Sequence, residues 1–345
     1  MRYTHGAMKT RPASFTILLG SIILILAALV SISFGTANIS FTDTIKVLVF
    51  GEQAPDVSRS YIYIIQAIRI PRVITAIIVG MALAASGVVF QALFRNPMAE
   101  PFILGVSSGA AFGVAFGALI GAFTLLPGSW GIPLFAFIGG IGASSTIYLL
   151  SGGMRSTSVT LLLSGVAMNF LLSAMMSLSM YFNREQLEDI IFWTMGSFSS
   201  ASWEKLMIIA PVMIIGIIIL LFYHREMDLL LLGDEAARSM GLSIKKTRIL
   251  LLVLSTLLTA SAVAISGVIG FVGLVTPHIV RIIVGPTHKR LLPLAVILGG
   301  LFTLLADTIA RGVLQNSEIP VGIITSMTGA PFFIYLLRNQ KKEVF

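Results

Sequence analysis

Cysteine is absent from all 345 residues, so the chain can form no disulfide, thiolate metal site or thiol nucleophile. Charge is also scarce, because Asp, Glu, Lys and Arg make up 11% of the residues, against roughly 25% in ordinary soluble domains. Hydrophobic residues make up 56% of the chain, and the mean hydropathy is +0.96. This composition is typical of a membrane protein and excludes one or two ordinary soluble domains.

Several chemical signatures are missing as well. The sequence contains no G-x-x-x-x-G-K-[ST] segment, so it has no phosphate-binding loop for ATP. Its four histidines, His5, His224, His278 and His288, have no paired spacing that would predict a metal or haem ligation site. No nucleophile, base or metal-ligand set clusters along the chain. We therefore expect no catalytic residues, no metal and no cofactor held by this chain.

What the sequence does contain is a series of apolar runs long enough to cross a bilayer as helices. They predict an all-α polytopic membrane protein with one transmembrane domain over residues 1–345 and about ten spans. The predicted spans are Phe15–Ser33, Val73–Phe94, Ile103–Leu126, Ile132–Leu150, Thr160–Met180, Leu206–Tyr223, Leu250–Ser266, Ile269–Val284, Leu291–Ala310 and Ile319–Leu337.

The third predicted span carries a glycine at every fourth position from Gly105 to Gly121. This spacing places the glycines along one helical face, where another backbone can approach closely. The stripe predicts tight helix packing inside the subunit; lining a lumen or contacting a second subunit are the alternatives.

The basic residues predict the orientation of the chain. If the amino terminus is cytoplasmic, most of the 23 lysines and arginines fall in inner segments, as the positive-inside rule requires. An even number of spans then places both termini in the cytoplasm of a bacterial cell, with the protein multi-pass in its plasma membrane. The net charge of +8 is scattered among short loops, so lipid is an expected partner and nucleic acid is not.

A polar segment, GDEAARSMGLSIKKTR (233–248), separates two apolar blocks and lies in a predicted cytoplasmic loop of about 226–248 between spans six and seven. Asp234 is expected to cap a short helix and Gly241 to end it. Two helical turns are marginal in water, so the helix must pack on neighbouring loops or on a partner. We favour a cytoplasmic partner, because the segment runs directly into span seven and would transmit a displacement into the membrane.

Charged residues near the outer ends of two spans also need an explanation. Asp307 lies four residues before Arg311, so the two share a helical face and can neutralise one another. Arg69 and Arg72 lie on the outer side just before span two, against the charge rule. Interfacial snorkelling or an ion pair with Asp56 are structural explanations for them.

The segment GDEAARSMG resembles the coupling-helix loop of the permeases that import iron-siderophores, haem and cobalamin, a class of ABC importer. Other blocks resemble that family in the same order along the chain, and together they cover almost all of it. They are RIPRVITAIIVGMALAASGVVFQALFRNPMAEPFILGVSSGA, GVIGFVGLVTPHIVRIIVG, LLADTIARG and EIPVGIITSMTGAPFFIYLL.

The resemblance implies ten helices per subunit and a larger machine. Two permease subunits, identical or related, would enclose a central path, two separate ATPase subunits would bind ATP and Mg, and an extracytoplasmic binding protein would deliver the cargo. A ferric siderophore is the favoured cargo, and cobalamin or haem is the alternative. An ion-coupled secondary transporter is the alternative of a different class; it would usually show ionisable residues or interrupted helices near the midplane, where Asp307 is the only acidic candidate recognised.

The resemblance also implies roles for particular residues. Arg69, Arg72 and Arg311 are expected to meet glutamates of the binding protein, because arginine pairs bidentately with carboxylate. Ser156, Thr157 and Ser158 resemble a segment that narrows the cytoplasmic exit. The residues expected to couple to the ATPase are Gly233, Asp234, Glu235, Ala236, Ala237, Arg238, Met240 and Gly241.

Overall fold

The computed structural model describes residues 13–124, 130–153, 158–314 and 317–340. All regular structure in these ranges is helical, as the sequence predicts. The α-helices are α1 (Ala13–Ser33), α2 (Phe41–Phe50), α3 (Arg59–Tyr63), α4 (Ile70–Phe94), α5 (Val106–Leu119), α6 (Gly131–Leu150), α7 (Ser158–Phe182), α8 (Leu187–Thr194), α9 (Trp203–Phe222), α10 (His224–Leu231), α11 (Asp234–Ser239), α12 (Ile244–Ser266), α13 (Val272–Val284), α14 (His288–Gly312) and α15 (Val321–Gln340).

Seven helical segments in the described residues are long and apolar enough to span a membrane. The other three predicted spans correspond to the shorter apolar helices α5, α13 and α15. The predicted span Ile103–Leu126 is too long, because Pro101–Leu104 forms a 3₁₀ turn and Gly105 adopts a left-handed conformation before α5 begins. The count of ten spans therefore stays a prediction.

Several short helices escaped the sequence analysis. The helices α2 and α3 lie between the first two predicted spans, and the π-helical turn Ile64–Arg69 joins α3 to α4. Ser40 caps α2 by accepting a hydrogen bond from the backbone N–H of Asp43. A search for spanning length misses such elements, since none is long enough to cross a bilayer.

The helix α4 forms the centre of the packed structure. It packs against α9, α12, α13 and α14, and 78% of an 18-residue apolar stretch within Arg59–Phe94, the membrane-length segment that contains α4, is buried. Val88, Leu258, Val272 and Leu291 are fully buried in this core. The corresponding segments of α1 and α7 are only 17% and 11% buried. The core is thus built around α4, whereas α1 and α7 present apolar faces outward.

The glycine stripe of α5 packs against α6. A Cβ on Gly109 would lie 2.4 Å from the carbonyl oxygen of Gly139, and a Cβ on Gly113 would lie 2.2 Å from that of Phe135. Both distances are too short for any side chain, so the two backbones touch. The prediction of tight packing within the subunit is confirmed.

Candidate functional site

The chain turns back into the protein after α4. Arg95 adopts a left-handed conformation (φ 49°) and ends the helix just before Asn96 and Pro97, as the sequence predicts. Pro101 then lies next to Gly273 of α13, and Gly273 packs against Leu83 and Gly87 in the carboxyl-terminal half of α4. The segment 95–105 therefore returns from the end of α4 by about two helical turns.

A second interruption lies between α12 and α13. Gly267 and Phe271 have positive φ values of 67° and 68°, and helical geometry resumes only at Val272. Phe271 is a bulky residue in a left-handed conformation, which costs roughly 1–2 kcal/mol. Its backbone N–H donates a 2.9 Å hydrogen bond to the carboxylate oxygen Oε1 of Glu100. This bond joins the two interrupted segments.

The two interrupted segments, α15 and the end of α8 line an open cavity of about 510 Å³, which we call the central cavity. Its lining combines aromatic rings, thioethers, hydroxyls and glycines with one carboxylate. Glu100 is the only ionisable side chain among the described residues that line it. The lining residues are Glu100, Phe102, Thr194, Met195, Val268, Gly270, Phe271, Gly322, Ile323, Ser326 and Met327.

The sequence analysis missed Glu100. It recognised only Asp307 as an acidic residue at membrane depth, although Glu100 lies inside one of the quoted family-like blocks, in the stretch NPMAEP. Hydropathy placed this stretch at a helix end and in the next apolar run. The sequence could have indicated Glu100, because this acidic residue lies between Pro97, where the helix ends, and Pro101.

On the predicted cytoplasmic side, Asp234 joins three elements. Its oxygen Oδ1 pairs with Nη2 of Arg95 at the end of α4, and with Nη2 of Arg248 on α12 at 2.8 Å. Arg95 also donates from Nε to the backbone oxygen of Leu230 on α10 at 2.7 Å. The predicted capping role of Asp234 is wrong, because Gly233 occupies the N-cap and the carboxylate faces the two arginines.

The helix α11 buries one side and exposes the other. Ala237 is fully buried, whereas Glu235, Arg238 and Met240 are exposed, Met240 by 61%. Gly241, at φ 85°, ends the helix as predicted. The exposed side of α11 is thus an available surface whose position is fixed through Asp234 to α4 and α12.

Hydrogen bonds also fix α10 to the start of α14. Asp228 accepts the backbone N–H of His288 at 3.0 Å, and its Oδ1 lies 2.6 Å from Nδ1 of the same histidine. Burial raises the pKa of the Asp228 carboxyl, but the bonds from His288 outweigh it and hold the pKa below its ordinary value. The polar segments between α9 and α12 are therefore anchored to α4, α12 and α14.

The outer ends of α4 and α14 share a buried ionic cluster. Arg72 pairs with Asp307 at 2.8 Å and with Glu318 at 2.9 Å. Arg311 pairs with Asp307 at 2.9 Å, which confirms the predicted pair four residues apart. Asp307, rather than Asp56, is thus the main counterion of Arg72.

The three arginines assigned to docking do not face outward in this conformation. Arg69, Arg72 and Arg311 are only 4%, 6% and 3% exposed. Arg69 donates to the backbone oxygens of Ile32, Ser33 and Ala37, and Arg311 donates to that of Phe34. The expectation of exposed side chains is corrected, because backbone carbonyls and carboxylates of the same chain already use their donors.

The predicted cytoplasmic constriction cannot be located. Ser156 and Thr157 lie outside the described residues. Ser158 begins α7, but its side chain lies outside the description as well.

The chain is similar to known proteins over most of its length. A profile of the FecCD transport family matches residues 23–339. The cobalamin import system permease protein BtuC of Halobacterium salinarum is 42% identical over 279 residues, covering 81% of this chain and 74% of that protein. The hemin transport system permease protein HmuU of Yersinia pestis is 39% identical over 284 residues, covering 80% and 83%.

A solved structure gives the same assignment. An inward-facing structure described as a metal-chelate type ABC transporter superimposes with a TM-score of 0.81 at 34% identity, covering 94% of this chain and 98% of that one. None of these matches is described as an ion-coupled carrier. The length of the match and the similarity to these permeases support one conclusion: the chain belongs to the FecCD transport family and is a membrane-spanning permease of an ABC importer.

Proposed function

We propose that this permease passes a ferric siderophore across the membrane through the central cavity. The observation that carries the proposal is the cavity itself, because it lies where two non-helical segments meet beside the carboxyl-terminal half of α4. Unwound backbone at membrane depth is tolerated where it is buried or lines a cavity, and it marks substrate sites in many transporters. A volume of about 510 Å³ is within the usual range of small-molecule sites.

Cobalamin and haem are the alternative cargoes. The names of two relatives, one a cobalamin and one a hemin permease, favour them. All three cargoes are bulky metal chelates, and the apolar lining of the cavity suits their organic surfaces equally.

A second permease subunit, identical or related, completes the proposed path. Met327 lines the cavity and is 69% exposed on this single chain. An apolar side chain at the mouth of a membrane-depth cavity needs a cover, and a facing subunit would enclose the cargo there. Lipid would cover the remaining apolar surface of α1 and α7.

Two ATPase subunits, with ATP and Mg, are the proposed energy source and would dock on α11. The side of that helix with Glu235 and Arg238 is exposed, as is Met240 directly after it. A force on α11 would reach α4 and α12 through Asp234 and its two arginines. Docking by the residues from Gly233 to Gly241 is therefore the proposed route from ATP hydrolysis to the cavity.

An extracytoplasmic binding protein is the proposed donor of the cargo. Docking through Arg69, Arg72 and Arg311 remains a prediction, and it now carries a structural condition. The buried cluster around Asp307 must open before glutamates of a partner can replace the internal acceptors. Ten spans, both termini cytoplasmic and a bacterial plasma membrane complete the proposed arrangement.

The first test is uptake of labelled ferric siderophore, cobalamin and haem by cells with and without this gene, in a host that lacks other importers of these cargoes. Loss of one cargo identifies it, and persistence of all three contradicts the import proposal.

A cavity-filling variant tests the path itself. Met327→Trp is expected to abolish uptake, because the indole ring would fill the mouth of the cavity. Met207→Trp on α9 is the matched control, since Met207 is 68% exposed and is not among the residues lining the cavity. Equal uptake by the two variants, both present in the membrane, would show that the cargo does not pass through this cavity.

A further inference from the structure

We infer that Glu100 gives the central cavity a fixed negative charge that selects metal chelates of neutral or positive net charge over anionic ones. The inference rests on the proposed function, because it assumes that cargo passes through this cavity. It adds a specificity-determining residue and narrows the cargo to a charge class.

The geometry holds the carboxylate of Glu100 at the cavity. One oxygen is fixed by the backbone N–H of Phe271 at 2.9 Å, at the start of α13. Pro101 follows immediately and packs on Gly273, so the backbone beside Glu100 cannot swing away without breaking the contact between segment 95–105 and α13. The carboxylate is thus a constant feature of the lining.

The rest of the lining leaves this charge unopposed. Apart from Glu100, the described residues around the cavity supply only apolar groups, backbone and the hydroxyls of Thr194 and Ser326. Burial disfavours the ionised form of Glu100, whereas the hydrogen bond from Phe271 and the partial positive charge of about half a unit at the amino-terminal end of α13 favour it. A chelate in the cavity therefore meets a net negative field.

The size of the effect follows from Coulomb's law. Two negative charges about 6 Å apart, at an effective dielectric constant of about 20, disfavour occupancy about a hundredfold. Water in the cavity and the dipole of α13 weaken this repulsion, so about tenfold per anionic charge on the cargo is the expected scale. A ferric complex of three monoanionic hydroxamates is neutral and escapes this repulsion, whereas a ferric complex of three dianionic catecholates carries three negative charges.

A purely structural role of Glu100, as a cap for α13, makes a different prediction. Glu100→Gln keeps a side-chain oxygen that can accept the N–H of Phe271, but it removes the charge. If Glu100 only caps α13, this variant should behave like the wild type toward every cargo. If Glu100 selects by charge, the variant should transport anionic chelates better relative to cationic ones.

The experiment uses the complete transporter, with its ATPase and binding protein, in proteoliposomes. The probes are one ferric trihydroxamate with a free terminal amine, which is cationic, and the same chelate with that amine succinylated, which is anionic. The readout is the ratio of their ATP-dependent uptake rates. Comparing the ratio between variants cancels the preference of the binding protein, which is the same in every reaction.

The expected result is that Glu100→Gln lowers the cation-to-anion ratio about tenfold or more relative to the wild type. Glu188→Gln is the matched control, because it removes an exposed carboxylate on α8, whose carboxyl-terminal end reaches the cavity. It should leave the ratio unchanged. An unchanged ratio in an active Glu100→Gln transporter would overturn the inference while leaving the import function standing.

A second variant keeps the test independent of the bond to Phe271. Ser326→Asp adds a second carboxylate to the same lining and is expected to raise the cation-to-anion ratio about tenfold. A ratio equal to that of the wild type would again overturn the inference. Failure of the wild-type transporter to move either chelate, or cobalamin or haem, would instead overturn the proposed function together with this inference.

Discussion

At the scale of single residues, Asp307 is the buried counterion of two arginines. Its carboxylate is fully buried and faces the guanidinium groups of Arg72 and Arg311, which are themselves almost fully buried. A buried charge without a partner is strongly destabilising, whereas a buried pair roughly compensates its own desolvation. The fold at the outer ends of α4 and α14 therefore depends on this one acidic side chain.

Asp307→Asn is expected to lower the stability of the permease by about 3–5 kcal/mol, because it removes the charge that compensates two buried cations. Glu318→Gln is the matched control, since Glu318 is 30% exposed at its side chain and Arg72 keeps Asp307 when it is changed. Its expected cost is about 1 kcal/mol or less. Thermal unfolding of the purified permease in detergent measures both, and equal midpoints for the two variants would contradict this assignment.

The ion pairs of Asp234 with Arg95 and Arg248 should make the stability of the permease depend on pH. Burial raises the pKa of Asp234, but the hydrogen bonds from Arg95 and Arg248 and the charges of these two arginines together outweigh this and hold the pKa below the ordinary value of 3.8. A lowered folded pKa means that the stabilisation is fully present above pH 3.8 and fades as the pH falls through the folded pKa.

The unfolding midpoint of the wild type should therefore exceed that of Asp234→Asn by a constant margin between pH 5 and pH 8. The margin should shrink below about pH 4, when protonation removes the same charge from the wild type. The measurement is a thermal unfolding series of both proteins. A margin that changes between pH 6 and pH 7 would mean that another group titrates at this anchor.

Sequence alone could predict some residue pairs and not others. Asp307 and Arg311 are four residues apart on one helix, so their pairing follows from helical geometry. The pairing of Arg72 with Asp307 joins residues 235 positions apart, and no local rule specifies it. Burial of the outer arginines depends on the same long-range packing, which is why they were expected to be exposed.

At the scale of elements, the contact between α5 and α6 depends on glycine. A Cβ on Gly139 would lie 2.2 Å from the carbonyl oxygen of Gly109, so neither backbone can accept it without moving apart. Gly142, one turn along α6, has open space where its Cβ would be. Gly139 and Gly142 lie on the same helix and differ in the room for a Cβ, so Gly142 is the control position for Gly139.

Gly139→Ala is expected to destabilise the permease by about 1–3 kcal/mol through this overpacking. Gly142→Ala should be neutral or slightly stabilising, since alanine favours a helix over glycine. Unfolding midpoints of the two variants compare them directly. A loss of stability in Gly142→Ala alone would show that the contact runs along the other face of α6.

Helices of full spanning length were predictable from hydropathy, whereas interruptions were not. The ends of α1, α6 and α9 lie within three residues of their predictions. The break predicted between Ser266 and Ile269 is longer in the structure, because Gly267–Phe271 is unwound although its composition is apolar. Interruptions of this kind are fixed by long-range contacts such as that of Glu100 with Phe271, and they build the candidate site.

At the scale of the whole molecule, composition was the most informative signal. Low charge and long apolar runs predicted an all-α membrane protein, and the helical fold and the membrane-length helices confirm it. The structure also shows which apolar side chains remain exposed on the single chain. Met327 at the cavity and Phe170 on α7 remain exposed, by 69% and 73%. A single chain thus leaves both its cavity and its periphery to be covered by another subunit or by lipid.

The orientation of the whole molecule can be tested because the chain has no cysteine of its own. Arg184 and Arg238 are both exposed and lie on either side of the membrane-length helix α9. We expect Arg184→Cys to react with a membrane-impermeant maleimide in intact cells. Arg238→Cys should react only after the membrane is opened, because the excess of basic residues keeps its side in the cytoplasm.

Both cysteine variants should be present in the membrane and unfold at the midpoint of the wild type, which serves as the control for folding. Labelling of both sites from outside would mean that α9 does not cross the membrane and would contradict the spans. A reversed pattern would keep the spans and invert the molecule, placing α11 outside the cell, where no ATPase could drive it. The predicted pattern alone puts the exposed side of α11 in the compartment that holds ATP and the buried arginine cluster on the side from which cargo arrives.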